Sequence, residues 1–206
     1  MKTKLCLLLL LFTTPIFGQY KQSEYPQEIL DRIKATAEIT TSIVSDYSET
    51  KQMMAFNEPQ ISKGKFYFEA DSKMRFQQLS PYPYIILING ESLRISDNGQ
   101  EKHIPKRGNV AAKVNGFLLS LIQGDFSVTK NGSLTCFESS NTFKLVLVPG
   151  EKMLSKVYQE IVLYFDKESV RLEKIFFQET SGDTKTMFFS NQTYNSDILE
   201  SIFNSL

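Results

Sequence analysis

Apolar and polar positions alternate with a period of two along most of the chain, the pattern of half-buried β-strands. The strands it predicts run Ser42 to Gln52, Gly64 to Ala70, Met74 to Leu79, Tyr84 to Ile88, Ser92 to Ser96, Lys102 to Ile104, Phe126 to Thr129, Leu134 to Ser139, Thr142 to Val148, Val157 to Phe165, Val170 to Thr180 and Thr184 to Thr193. Phe66 and Phe68 share one face, with Lys65, Tyr67 and Glu69 opposite. Phe143, Leu145 and Leu147 align, as do Ile161, Leu163 and Phe165, then Leu172, Lys174 and Phe176, then Thr186, Phe188 and Ser190. Between the strands stand Asn89-Gly90, Asn98-Gly99, Asn131-Gly132, Pro149-Gly150 and Ser181-Gly182-Asp183. Asn-Gly pairs accept the positive φ angles of tight hairpin turns, so they favour antiparallel neighbours.

Two stretches change period. Pro26 suits the first turn of a helix, and Ile29, Leu30, Ile33 and Ala37 follow at helical spacing, which predicts a helix over Pro26 to Glu38. Val114, Phe117, Leu118, Leu121 and Ile122 form one broad apolar face on a second helix, Val110 to Gln123. About eleven short strands in hairpin order do not fit as central strands of two small sheets. The expected fold is mainly β with some α: one highly curved antiparallel sheet forming a half-open barrel, with helices over one end.

Met1 to Gly18 follows another logic. Lys2 and Lys4 precede the apolar run Leu5 to Phe12, Pro15 breaks it, and small Gly18 precedes polar Gln19. This is the three-part layout of a cleaved secretory signal peptide, residues 1–18, leaving 19–206 as a single domain. The apolar run falls short of the roughly 20 residues that span a bilayer. Cleavage takes Lys2 and Lys4 from the 23 basic residues, leaving 21 against 23 acidic and a net charge of −2. It also takes Cys6, so Cys136 stands alone and no internal disulfide forms. The expected product is exported, periplasmic and held together by its own core.

Composition narrows the chemistry. A balanced charge offers no polycation for a phosphate backbone, which argues against nucleic acid as a partner. His103 is the one histidine, on a charged stretch expected to face solvent, and Cys136 sits inside a strand; the usual zinc sites need more ligands. No G-x-S-x-G, H-E-x-x-H, Walker A or G-x-G-x-x-G motif is present. Glu49, Glu58, Glu69, Asp71, Glu160 and Asp166 are available to a carboxylate-pair hydrolase, yet nothing singles out a pair. The expectation is no catalytic residue, no metal and no cofactor.

One stretch carries more than composition. Tyr47-Ser48-Glu49-Thr50-Lys51-Gln52 precedes Gly64-Lys65-Phe66-Tyr67-Phe68, then Met74-Arg75-Phe76, then Pro81-Tyr82-Pro83-Tyr84-Ile85-Ile86-Leu87-Ile88-Asn89-Gly90 and Leu93-Arg94-Ile95. In order and spacing this resembles the outer-membrane lipoprotein carrier family LolA, especially its shorter Bacteroidota-type members. The resemblance implies a half-open β-barrel under a helical lid, enclosing an apolar cavity for acyl chains, with no cofactor. It implies acylated lipoproteins as cargo, an inner-membrane exporter as donor, an outer-membrane receptor as acceptor, and a monomeric carrier. On that basis Phe66, Phe68, Phe76, Ile86, Ile88, Phe143, Leu145, Leu147, Ile161 and Leu163 are expected to line the cavity. Val114, Phe117, Leu118 and Leu121 are expected to form the lid. Many family members place a basic residue and proline after the aromatic strand, where this chain has Ala70-Asp71; Arg75 and Lys73 stand near enough to latch the lid instead. The alternative is a lipid- or glycolipid-binding module or an envelope sensor on the same fold.

Overall fold

The computed structural model describes residues 20–70, 72–104, 110–126 and 131–206. The expected signal peptide, Asp71 and the expected strand beyond Phe126 lie outside the described residues, and Phe126 itself is not in a strand. The strands are β1 (Lys21–Gln22), β2 (Ser42–Gln52), β3 (Gln60–Glu69), β4 (Lys73–Ser80), β5 (Tyr84–Asn89), β6 (Ser92–Asp97), β7 (Gln100–Lys102), β8 (Ser133–Glu138), β9 (Thr142–Val148), β10 (Tyr158–Asp166), β11 (Leu172–Glu179) and β12 (Thr184–Tyr194). The helices are α1 (Pro26–Glu38), α2 (Val110–Ile122) and α3 (Ser201–Asn204).

All twelve strands belong to one antiparallel sheet in the order β1-β8-β9-β10-β11-β12-β2-β3-β4-β5-β6-β7. Its two end strands, β1 and β7, do not pair with each other, so the curved sheet stays a half-open barrel. The expected hairpins account for most of the order. Asn98 (φ 50°) and Gly99 (φ 77°) form the two-residue turn that pairs Asp97 with Gln100. Two pairings are long-range: β1 with β8, and β12 with β2, which brings the end of the chain back to its beginning over a register from Thr184–Gln52 to Tyr194–Ile43.

The concave face holds the core. Phe66 and Phe68 from β3, Met74 and Phe76 from β4, Phe143, Leu145 and Leu147 from β9, and Ile161, Leu163 and Phe165 from β10 are all buried there. The interior face of β11 and β12 differs from the sequence expectation. Ile175, Phe177 and Met187 are buried and Phe189 packs against them, whereas Lys174, Phe176 and Phe188 take the outer parity. Phe188 is 49% exposed, and Lys174 lies 3.6 Å from the Tyr164 ring centroid on that outer face. Bulky residues at both parities of β11 masked the true face, and a register shift at Tyr164/Phe165 offsets Leu172 from the regular alternation.

Two helices bear on the interior. α1 starts at Pro26 and buries Ile29 and Ile33, with Arg32 over the Phe143 ring at 5.0 Å. α2 buries Phe117, Leu118, Leu119 and Leu121 and leaves Lys113 and Gly116 exposed as a narrow outer stripe, continued by Gln123 just past its end. A helix apolar around most of its circumference is packed on several sides, so α2 is sunk into the barrel interior with only that stripe facing out.

α3 has no counterpart in the sequence expectation, being too short for a periodic signal. It packs on the convex face of β4 and β5, where Phe203 and Leu87 are each 1% exposed. Arg75, 6% exposed, donates from Nη1 to the Ile202 carbonyl at 2.9 Å and to the Ser205 carbonyl. Arg94 donates to the Asn204 carbonyl at 3.2 Å, and the Asn89 amide to the Phe203 carbonyl at 3.2 Å. Those bonds satisfy the carbonyls left open at a helix end. Arg75 therefore points away from the lid and ties down the C-terminus. Lys73 pairs with Glu69 at 2.8 Å and reaches over the Phe203 ring. The expected lid latch from these two residues is corrected: both serve the opposite face of the sheet.

Candidate lipid-binding interior

α2 lies between two cavities. The larger, about 400 Å³, is lined by Phe76, Ile86, Met187, Val157, Val114 and Leu118, with Tyr47, Tyr158, Glu49, Lys185, Gln78, Tyr84 and Asn115 completing its wall. That volume is within the range of about 300–1,000 Å³ typical of small-molecule sites. The smaller, about 60 Å³, lies between α1 and the C-terminal end of α2, against Ile33, Ala37, Ile43, Phe66, Leu121, Phe165 and Phe189.

The expected lining residues divide accordingly. Phe66 borders the smaller cavity, and Phe76 and Ile86 border the larger. Phe68, Ile88, Phe143, Leu145, Leu147, Ile161 and Leu163 belong to the packed core between and beside the two. Among the expected lid residues, Val114 and Leu118 face the larger cavity, Leu121 faces the smaller, and Phe117 is buried in the core.

Close packing on β2 and β3 sets the floor of the larger cavity. Tyr47 stands directly across from Gly64, and a Cβ on Gly64 would lie 2.1 Å from the Gln77 carbonyl oxygen and 2.8 Å from the Tyr47 ring. With no side chain at Gly64, the Tyr47 ring has room over β3 and meets Phe76 edge-on, with centroids 5.8 Å apart. Phe76 in turn tilts against Phe66 at 4.7 Å. The glycine of the aromatic motif is thus a steric requirement of the cavity wall.

Sequence reasoning passed over the polar part of this wall. Tyr47, Glu49 and Lys51 stand at alternate positions of β2 and so share its inner face. Across the strand pair, Lys185 lies opposite Lys51, and Met187 opposite Glu49. Lys185 reaches Glu49 at 3.8 Å and Lys51 reaches Glu179 at 3.7 Å. Burial, then the nearby Glu179 and Glu49 carboxylates, push the Tyr158 hydroxyl up to about 12. Burial, then Glu49, raises that of Tyr47 as well. Both phenols are therefore neutral hydrogen-bond donors at physiological pH.

The remaining candidate groups sit elsewhere. His103 is exposed at the end of β7. Cys136 is buried, and burial pushes its thiol up to about 11, far from the thiolate a nucleophile needs. Glu69 is paired with Lys73, and Asp166 accepts hydrogen bonds from Ser169 in the β10–β11 turn. Among the described residues no group of three His, Cys, Asp or Glu is placed to hold a metal ion. No helix among them is long and apolar enough to cross a membrane.

The sequence profile of the outer membrane lipoprotein carrier protein LolA family matches residues 38–205. The chain belongs to the LolA family. No curated protein matches it. MucB shares the fold at a TM-score of 0.52 with 14% identity, over 89% of this chain and 63% of MucB. An outer membrane lipoprotein-sorting protein domain from Vibrio parahaemolyticus aligns at a TM-score of 0.48 with 15% identity, over 86% of this chain and 95% of that one. LppX, a lipoprotein of Mycobacterium tuberculosis, aligns at 0.45 with 10% identity, over 84% and 98%. The unclosed twelve-stranded sheet with its helical lid fits this family's half-open barrel, and α2 borders both cavities of its apolar interior.

Proposed function

We propose that the chain is a periplasmic carrier that holds the acyl chains of lipoproteins in its barrel and moves them from the inner to the outer membrane. The observation that carries this reading is the place of α2. One apolar helix separates two cavities inside an unclosed apolar barrel, in a chain of the lipoprotein-carrier family. Withdrawing α2 joins the two cavities and uncovers the faces of Phe68, Ile88, Phe143, Leu145, Leu147, Ile161 and Leu163 as further wall. The helix fills the interior when cargo is absent and opens it when cargo arrives.

Energetics favour such a device over free diffusion. Burial of one CH₂ is worth about 0.8 kcal/mol, so a sixteen-carbon chain is worth roughly 12 kcal/mol. Release into water at that depth is prohibitively slow, and cargo must pass between apolar sites. An inner-membrane exporter as donor and an outer-membrane receptor as acceptor supply those sites, and a monomer presents its open barrel to each in turn. No step calls for a catalytic group or cofactor.

The test is release from membranes. The chain from Gln19 to Leu206, incubated with inner membranes whose lipoproteins carry labelled palmitate and which retain their exporter, is expected to bring labelled lipoprotein into the soluble fraction. A folded protein that leaves all label on the membrane contradicts the proposal.

A further inference from the structure

The larger cavity has a feature that an acyl-chain site alone does not call for. Its floor is apolar, but one wall carries a cation and an anion side by side, Lys185 and Glu49, with Lys51 and Glu179 as a second pair beyond them. All four side chains are 21–31% exposed, and both pairs stand at 3.7–3.8 Å. A charge-assisted hydrogen bond closes to about 2.7–2.9 Å. Both pairs stand beyond that distance, which leaves each partner available to an incoming charged group. Two phenols adjoin them. Tyr47 and Tyr158 line the same cavity, and each residue is 6% exposed. Phenol hydroxyls on the wall of an otherwise apolar cavity of ligand size are the kind of placed polar group that orients a ligand.

We propose that this wall is a head-group site for an acyl lipid whose head carries both a phosphate and an amine, seated with its chain against Phe76, Ile86 and Leu118. Lys185 meets the phosphate, Glu49 meets the ammonium, and the Tyr47 and Tyr158 hydroxyls donate to the phosphate or ester oxygens. The balance of charge selects the head. A purely anionic head meets Lys185 but faces Glu49, and a neutral head leaves the pair unengaged. The inference rests on the reading of the cavity as an acyl-chain site and adds a ligand to it: a membrane lipid that occupies the carrier between cargoes.

The experiment compares three lipids with the same single acyl chain, each below its micelle concentration, by calorimetric titration of the Gln19 to Leu206 protein. They are lysophosphatidylethanolamine, lysophosphatidylglycerol and monoacylglycerol. The ethanolamine lipid is expected to bind about tenfold more tightly than either of the others, the scale of one modest hydrogen-bond contribution. Glu49→Gln removes the repulsion of anions and is expected to move the preference to lysophosphatidylglycerol. Lys185→Gln is expected to erase the advantage of the ethanolamine lipid while monoacylglycerol binds as before. Tyr158→Phe is expected to weaken both phosphate lipids severalfold, with an unchanged circular dichroism spectrum showing that the fold is retained. Equal affinity for all three lipids in the parent protein overturns the head-group site and leaves the acyl-chain reading standing. Binding of none of them overturns both.

Discussion

Leu118 and Leu121 stand one turn apart on α2, yet Leu118 lines the larger cavity and Leu121 the smaller. The helix is the partition of the barrel, and its two leucines are the contact surface on either side. Leu118→Ala removes packing from a buried position and is expected to cost about 2–5 kcal/mol of stability. Urea unfolding measures it; a loss below about 1 kcal/mol shows that α2 is not packed in the interior.

Gly64 is expected to tolerate no side chain. In Gly64→Ala the new Cβ meets the Gln77 carbonyl at 2.1 Å, backbone that cannot step aside, and also the ring of Tyr47. Overpacking of this kind costs about 1–3 kcal/mol and here displaces the Tyr47 ring that floors the larger cavity. Thermal unfolding and lipid titration should fall together. A variant of parental stability and affinity refutes the steric account of this motif glycine.

Arg75→Ala tests whether this arginine serves the C-terminus or the lid. Losing the donors to Ile202 and Ser205 leaves α3 carbonyls open and is expected to cost about 2 kcal/mol, with faster proteolysis of the last few residues. Cargo uptake should persist. Loss of uptake with the C-terminus still protected assigns Arg75 to the lid instead.

Acid is expected to destabilise the fold. A hydrogen bond from Asn191, then Lys65, holds the Asp46 carboxyl below the usual carboxylate range; Lys167, with Ser23, does so for Glu138, and Ser169 for Asp166. Each folded-state value lies below the unfolded one, so the unfolded chain binds more protons in that window. Their stabilisation is complete above the ordinary carboxylate values of about 3.9–4.3 and is lost as pH falls through the depressed ones. The melting temperature should therefore hold steady from pH 7 to about pH 5 and drop between pH 4 and pH 2.5. A melting temperature unchanged to pH 2.5 contradicts these pairings.

Where one parity of a strand is bulky and the other polar, sequence reading located the inner face, as at Phe66 and Phe68 or Phe143, Leu145 and Leu147. It failed at β11 and β12, where Phe176 and Phe188 compete with Ile175, Phe177 and Met187, and only pairing with β10 and β2 decides. β1 and α3 are too short for any period to register. The helix that partitions the barrel was legible from its apolar residues, but not its depth. The polar wall was readable in part, because Tyr47, Glu49 and Lys51 alternate on β2; Lys185 and Tyr158 join them only through the sheet order.

The central claim is that this interior carries lipoprotein acyl chains. Native mass spectrometry of the protein purified from its own cells, with lipid and peptide analysis of what dissociates, tests it most directly. The account predicts a fraction of molecules bound to triacylated lipoprotein. Protein that is empty, or that carries free lipid alone even when exporter and lipoprotein are abundant, contradicts it.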